Sequence, residues 1–157
     1  MRKSIMSAAP KATSSPDEEW LNIEQLASVE ITSEESAHLI ESAILPGHAA
    51  GWRAGQSGEQ TIRLIFDQPQ RLSRIRLLFE ESEAERTQEF VLRWSADGGS
   101  SFREIVRQQW NFSPPDTIRE LEDYRVELSG VTVLELTIVP DRNNGPARAS
   151  LAELRLA

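Results

Sequence analysis

Three punctuated stretches of this sequence bring together the side chains that grip hydroxyl-rich ligands. Gly47 to Gly58 carries His48, Trp52 and Arg53 among four glycines. Trp110 to Thr117 sets Trp110 and Phe112 beside two prolines, and Pro140 to Ser150 holds Arg142, Asn143 and Asn144. An indole offers an apolar face to the C–H side of a sugar, while amide and charged groups orient its hydroxyls. Arginine adds a planar fork of donors. Each stretch also has a plainer reading. Trp52 can plug the end of a core, since large aromatics are mostly buried. Asn143-Asn144-Gly145 is first of all a turn signal, and Trp110 and Phe112 divide evenly between platform and core.

Catalytic chemistry finds less support. No nucleophile elbow, phosphate loop or metal-binding motif occurs, so no turnover is expected. His38 and His48 are too few for a histidine metal site. The run Glu80-Glu81, Glu83, Glu85 reads as a solvated loop.

The elements that must hold these loops are strands. From Thr87 to Arg107, Phe90, Leu92 and Trp94 alternate with Val91, Arg93 and Ser95, which puts three large apolar groups on one face. Ala96-Asp97-Gly98-Gly99-Ser100 follows as a reversal, and a second apolar run begins at Phe102, so this stretch predicts a β-hairpin. Ser28 to Thr32 reads as a first strand. Gln60 to Phe66 and Leu72 to Phe79 read as two strands broken by Asp67-Gln68-Pro69-Gln70. Arg119 to Leu128 and Thr132 to Val139 read as two more, and Leu151 to Leu156 as the last. Trp20 to Leu26 suits a short helical turn with acids at its start. Such a series of short strands predicts an antiparallel β-sandwich, buildable as a jelly roll. Ile62, Leu64, Phe66, Ile75, Leu77, Phe90, Leu92, Trp94, Leu136 and Leu154 are expected inside it.

Composition narrows the class. Residues 1–16 are small, polar and proline-punctuated and read as a disordered tail, leaving 17–157 as one binding domain. Eight acids and no Lys or Arg lie between Asp17 and Glu41, and the net charge is −8. Nucleic-acid binders show the opposite sign, so no nucleic-acid partner is expected. No apolar run approaches the roughly 20 residues of a membrane span, nor the h-region of a secretory signal. With no cysteine in the chain, a reducing, cytoplasmic setting is the expectation.

Four motifs then appear in order: an alternating strand ending in Asp-x-Pro (Ile62 to Pro69), a Leu-x-x-Ile-x-Leu strand (Leu72 to Leu77), a strand entering Ser-x-Asp-Gly (Ser95 to Gly98), and a terminal Ser-Leu-x-Glu-Leu (Ser150 to Leu154). With them, residues 28–157 resemble the galactose-binding-like β-sandwich of discoidin domains and bacterial carbohydrate-binding modules. The resemblance implies a non-catalytic module with its ligand on loops at one end: those of His48, Trp52 and Arg53, of Trp110 to Phe112, and of Arg142, Asn143 and Asn144. It implies a carbohydrate or small hydroxylated ligand, or, on the same fold, an intracellular protein partner. Many members hold a structural calcium near the first long loop and a terminal-strand Glu, which Glu153 matches. Pro46-Gly47-His48 stands here in place of the calcium loop's Asp-Gly, which argues against the ion.

Overall fold

Two strands of 21 residues, β3 (Gln60–Glu80) and β6 (Arg119–Val139), run antiparallel along their whole length and pass through both layers of the fold. The computed structural model describes residues 20–47 and 50–157; the tail assigned to 1–16 and His48 lie outside them. The first half of β3 and the second half of β6 sit in a face ordered β1 (Ala27–Ile31), β3, β6, β4 (Arg86–Ser95), β5 (Arg103–Phe112). The second half of β3 pairs with β8 (Glu153–Leu156), and its partner there is the first half of β6. A separate two-stranded sheet joins β2 (Trp52–Ser57) to β7 (Arg148–Leu151). The two short helices are α1 (Ile23–Leu26) and α2 (Glu41–Ile44). No helix among the described residues is long and apolar enough to cross a membrane.

This is an antiparallel β-sandwich, but four expected strands are two. The Asp67-Gln68-Pro69-Gln70 segment does not end its strand; register shifts between Ile65, Gln70, Leu72 and Arg74 absorb it. A bulge tolerates a residue without an N–H and bends the strand, so one strand can serve both layers. Gly130, at φ 71°, lies at the matching place in β6. The expected terminal strand is instead two, interrupted at Ala152: β7 pairs with β2 and β8 with β3.

Alternation fills the space between the layers. Nine of the ten expected core residues, Ile62, Leu64, Phe66, Ile75, Leu77, Phe90, Leu92, Leu136 and Leu154, are buried. Phe79 of one layer meets Phe90 of the other with ring centroids 5.2 Å apart. Trp94 is the exception and is only half-buried. A register shift between Leu92 and Arg93 precedes it, and Arg103 lies 5.9 Å from its ring centroid beside a small hollow. Bulges re-aim the side chains that follow them.

The hairpin forms as expected, with Trp94 opposite Arg103. Its loop is held by Asp97, whose carboxylate accepts from the Ser101 hydroxyl (2.6 Å), the Ser95 hydroxyl (2.6 Å) and the Ser101 amide (2.9 Å). Those donors, Ser101 first, pull its pKa down to about 2.

Trp110 and Phe112 belong to β5, not to a loop, because they pair with Gln88 and Arg86. Phe112 is fully buried, and Trp110 packs half-buried against the core. Likewise Trp52–Ser57 is a strand where a loop was expected. It is entered through Gly51 at φ 70°, where a Cβ would stand 3.0 Å from the Leu151 carbonyl oxygen. Gly51→Ala is therefore expected to cost about 1–3 kcal/mol, read as a lower urea midpoint at unchanged slope.

Candidate functional site

The segment after β1 builds the site by bonding to its neighbours in place of a helix or sheet. The Glu35 amide donates to the Arg53 carbonyl (2.9 Å), and the Arg53 amide donates to the His38 carbonyl (3.1 Å). Ser33 accepts the Trp52 indole N–H on its carbonyl (3.1 Å) and the Gly55 amide on its hydroxyl (2.9 Å). Gly55 permits this approach, since a Cβ there would lie 2.9 Å from the Glu34 carbonyl oxygen. These bonds fix Glu35, His38 and Arg53 beside the edge of β7, which adds Arg148.

The Glu35 carboxylate then bridges both arginines, at 2.9 Å from Arg148 and 3.5 Å from Arg53. Their side chains remain 40% and 49% exposed, so guanidinium N–H groups are left for a ligand. His38 Nδ1 lies 3.0 Å from the Ala50 carbonyl oxygen. A carbonyl only accepts, so Nδ1 carries the proton and Nε2 is the free acceptor in the neutral ring.

Opposite them runs the 80–83 segment, and the cleft between encloses about 240 Å³. That segment was expected to be a solvated charge run, but Glu81 ties it down. Its carboxylate accepts from Arg86 Nε (2.7 Å) and from the amides of Glu83 and Ala84 (3.1 Å each). Burial raises the Glu81 pKa, yet those bonds outweigh burial and hold it below the usual carboxylate value. The result is a polar cleft with positive charge on one wall and carboxylates on the other.

Of the residues singled out in the sequence, Trp52 and Arg53 line this cleft. Trp52 is 1% exposed, so its ring is the plug of the core and offers no stacking face. Trp110 lies on β5. Arg142 is paired with Glu89 (2.6 Å), and its amide donates to the Thr87 carbonyl (2.7 Å). Asn143 and Asn144 are exposed in a turn around Asp141, with Asn144 at φ 60°. Neither they nor Arg142 and Trp110 line the cleft. His38, Arg148 and the 80–83 segment do line it, with Glu35 behind the arginines, yet the sequence assigns none of them to a ligand site. Glu35 and Arg148 are 113 residues apart, and no local pattern links them.

Glu153 lines a different cavity, and its surroundings do not suit calcium. Arg155 Nη2 stands 3.6 Å from its carboxylate, and Nη1 of the same guanidinium donates to the Ala43 carbonyl (3.0 Å). A cation is thus already supplied by the chain. Among the described residues no group of three His, Cys, Asp or Glu side chains could hold a metal ion.

The fold matches known structures. A Clostridium perfringens module, CpGH89CBM32-5, solved with GalNAc-β-1,3-galactose, superposes with a TM-score of 0.65 at 21% identity, covering 87% of this chain and 98% of that one. CBM32-3, from a family 31 glycoside hydrolase of the same organism, gives 0.66 at 18% identity, with coverage of 92% and 98%. A Ruminococcus gnavus GH29 fucosidase solved with fucose gives 0.65 at 9% identity, but there the match covers 84% of this chain and 25% of the enzyme. No family model matches the sequence, and no curated protein matches it. The fold is therefore the galactose-binding-like β-sandwich of the family 32 carbohydrate-binding modules. The matched domain makes up nearly the whole chain in the two Clostridium structures and about a quarter of it in the fucosidase.

Proposed function

We propose that this domain is a non-catalytic carbohydrate-binding module that takes one sugar ring in the cleft of His38, Arg53 and Arg148. The observation that carries the reading is the arginine pair held by Glu35. Its donors are oriented before a ligand arrives, which reduces the ordering cost of binding. Vicinal hydroxyls match forked donors, His38 Nε2 accepts, and the acids of 80–83 accept on the far side. At about 240 Å³ the cleft is smaller than the roughly 300–1,000 Å³ of drug-sized sites, so a single ring is favoured over a chain. A structural neighbour solved with GalNAc-β-1,3-galactose, which the match covers almost entirely, supports the ligand class. Without an aromatic platform, binding rests on hydrogen bonds and should be weak.

Titration calorimetry with galactose, N-acetylgalactosamine and fucose tests this. Micromolar-to-millimolar binding of at least one is expected. Arg148→Gln should weaken it on the order of tenfold or more, because a charge-assisted bond contributes about 1.5–3 kcal/mol. Binding unchanged in Arg148→Gln and Arg53→Gln would remove the cleft from consideration. No binding across the panel, with a specific protein recovered in its place, would favour an interaction domain.

A further inference from the structure

A cavity of about 960 Å³ lies between the N-terminal segment Trp20 to Glu24, the 44–47 segment and the outer edge of β3 and β8. Arg76 and Arg155 are register partners on its floor. Arg155 is fully engaged, with Glu153, the Ala43 carbonyl and the Leu154 carbonyl. Arg76 is not. Its Nε is buried with no acceptor, and no hydrogen bond or ion pair to it occurs among the described residues. Asp123, its partner across β6, is held bidentately by Arg74 (2.7 and 2.9 Å). Trp20 is fixed beside it, with the Arg74 guanidinium 4.7 Å from the ring centroid and the Leu21 amide donating to the Leu156 carbonyl (2.7 Å).

A buried cationic donor without an acceptor is costly and rare. Arg76 also lines a cavity with room enough for a ligand, next to an indole ring that is already held in place. We propose that this cavity is a second binding site, for a small ring compound bearing one carboxylate and hydroxyls. The carboxylate meets Arg76, whose terminal guanidinium N–H groups donate to it. The ring lies along Trp20, and Asn22, Glu24 and Glu153 are hydrogen-bond partners for hydroxyls. The two glutamates limit the ligand to a single negative charge. This site is separate from the His38 cleft and does not depend on it.

The probe is sodium glucuronate, titrated into the full chain and followed by calorimetry and by ¹H–¹⁵N spectra, with glucose as its uncharged counterpart. Glucuronate should bind and shift the Trp20 indole N–H, more weakly as salt rises, while glucose leaves that signal in place. Arg76→Gln should weaken the glucuronate-dependent shift of the Trp20 indole N–H at least tenfold. Should Arg76→Gln not fold, Arg76→Lys serves, retaining charge but losing the fork, with an intermediate loss expected. Equal binding of glucuronate and glucose, no glucuronate binding, full affinity in a folded Arg76 variant, or shifts at His38 in place of Trp20 would each overturn the proposal.

Discussion

Glu120→Gln should stabilise the domain at slightly alkaline pH and flatten its dependence of stability on pH. Glu120 is fully buried on β6. Gln88 Nε2 donates to one carboxylate oxygen (3.1 Å), and the other has no partner. Burial raises its pKa most, and the Glu122 carboxylate on the same strand adds to this. The Gln88 bond and the Arg86 charge pull back, and the net value is about 9. Glu122 in turn accepts from the Tyr124 hydroxyl (3.1 Å), and burial with the Glu122 charge pushes that phenol upward as well.

The folded state therefore holds a proton that the unfolded chain releases near the ordinary carboxyl value of 4.5. The contribution is fully present below that pKa and is lost as pH rises from about 4.5 to about 9. Glutamine keeps the size and a donor while removing the titration. A gain on the order of 1–3 kcal/mol at pH 8 is expected, with little change at pH 4.5. Urea melts at both pH values for the two proteins measure it, and parallel pH curves would show that Glu120 does not carry the buried proton.

The layers were legible in the sequence because they rest on a period of two. Phe90, Leu92, Ile75 and Leu77 declare their face without any knowledge of partners. Continuity was not legible: whether Pro69 ends a strand or bulges it depends on which chain lies alongside, and β6 supplies the pairing on both sides of the bend. Trp94 shows the same limit, since its parity points inward while a register shift on the neighbouring strand decides its exposure. The cleft was the least legible part. Its polar groups come from Glu35, His38, Arg53, Glu81 and Arg148, far apart in the sequence, and it is the pairing of β2 with β7 that brings Arg53 beside Arg148. Loop composition points to Arg53, whereas Arg148, in the Pro140 to Ser150 stretch that reads as a loop, opens strand β7. Trp52 was weighed between platform and plug, and its indole bond to the Ser33 carbonyl shows why the plug also orders the site.

Arg86→Ala should be among the most destabilising single changes in the protein, at about 3–5 kcal/mol. The Arg86 side chain is wholly buried and ties four parts of the chain together. Nε holds Glu81 (2.7 Å), and Nη1 donates to the Pro140 carbonyl (2.8 Å) and to Gln88 Oε1 (3.1 Å). The guanidinium also lies 4.7 Å from the Phe112 ring centroid. Truncation leaves a carboxylate, a carbonyl and an amide without their donor. Lysine should rescue little, because a single ammonium cannot reproduce the planar fork. The effect reaches the cleft through Glu81: without Arg86 the segment 80–83 loses its anchor, and the wall facing Arg53 and Arg148 loosens. Hydrogen exchange at the Glu83 and Ala84 amides should quicken more in Arg86→Lys than at the strand amides of Phe90 and Leu92. Combining Arg86→Ala with Glu81→Ala should cost clearly less than the sum of the two single changes, since the partners share one bond. Additive losses would mean that Arg86 acts by filling space and not by holding the cleft wall.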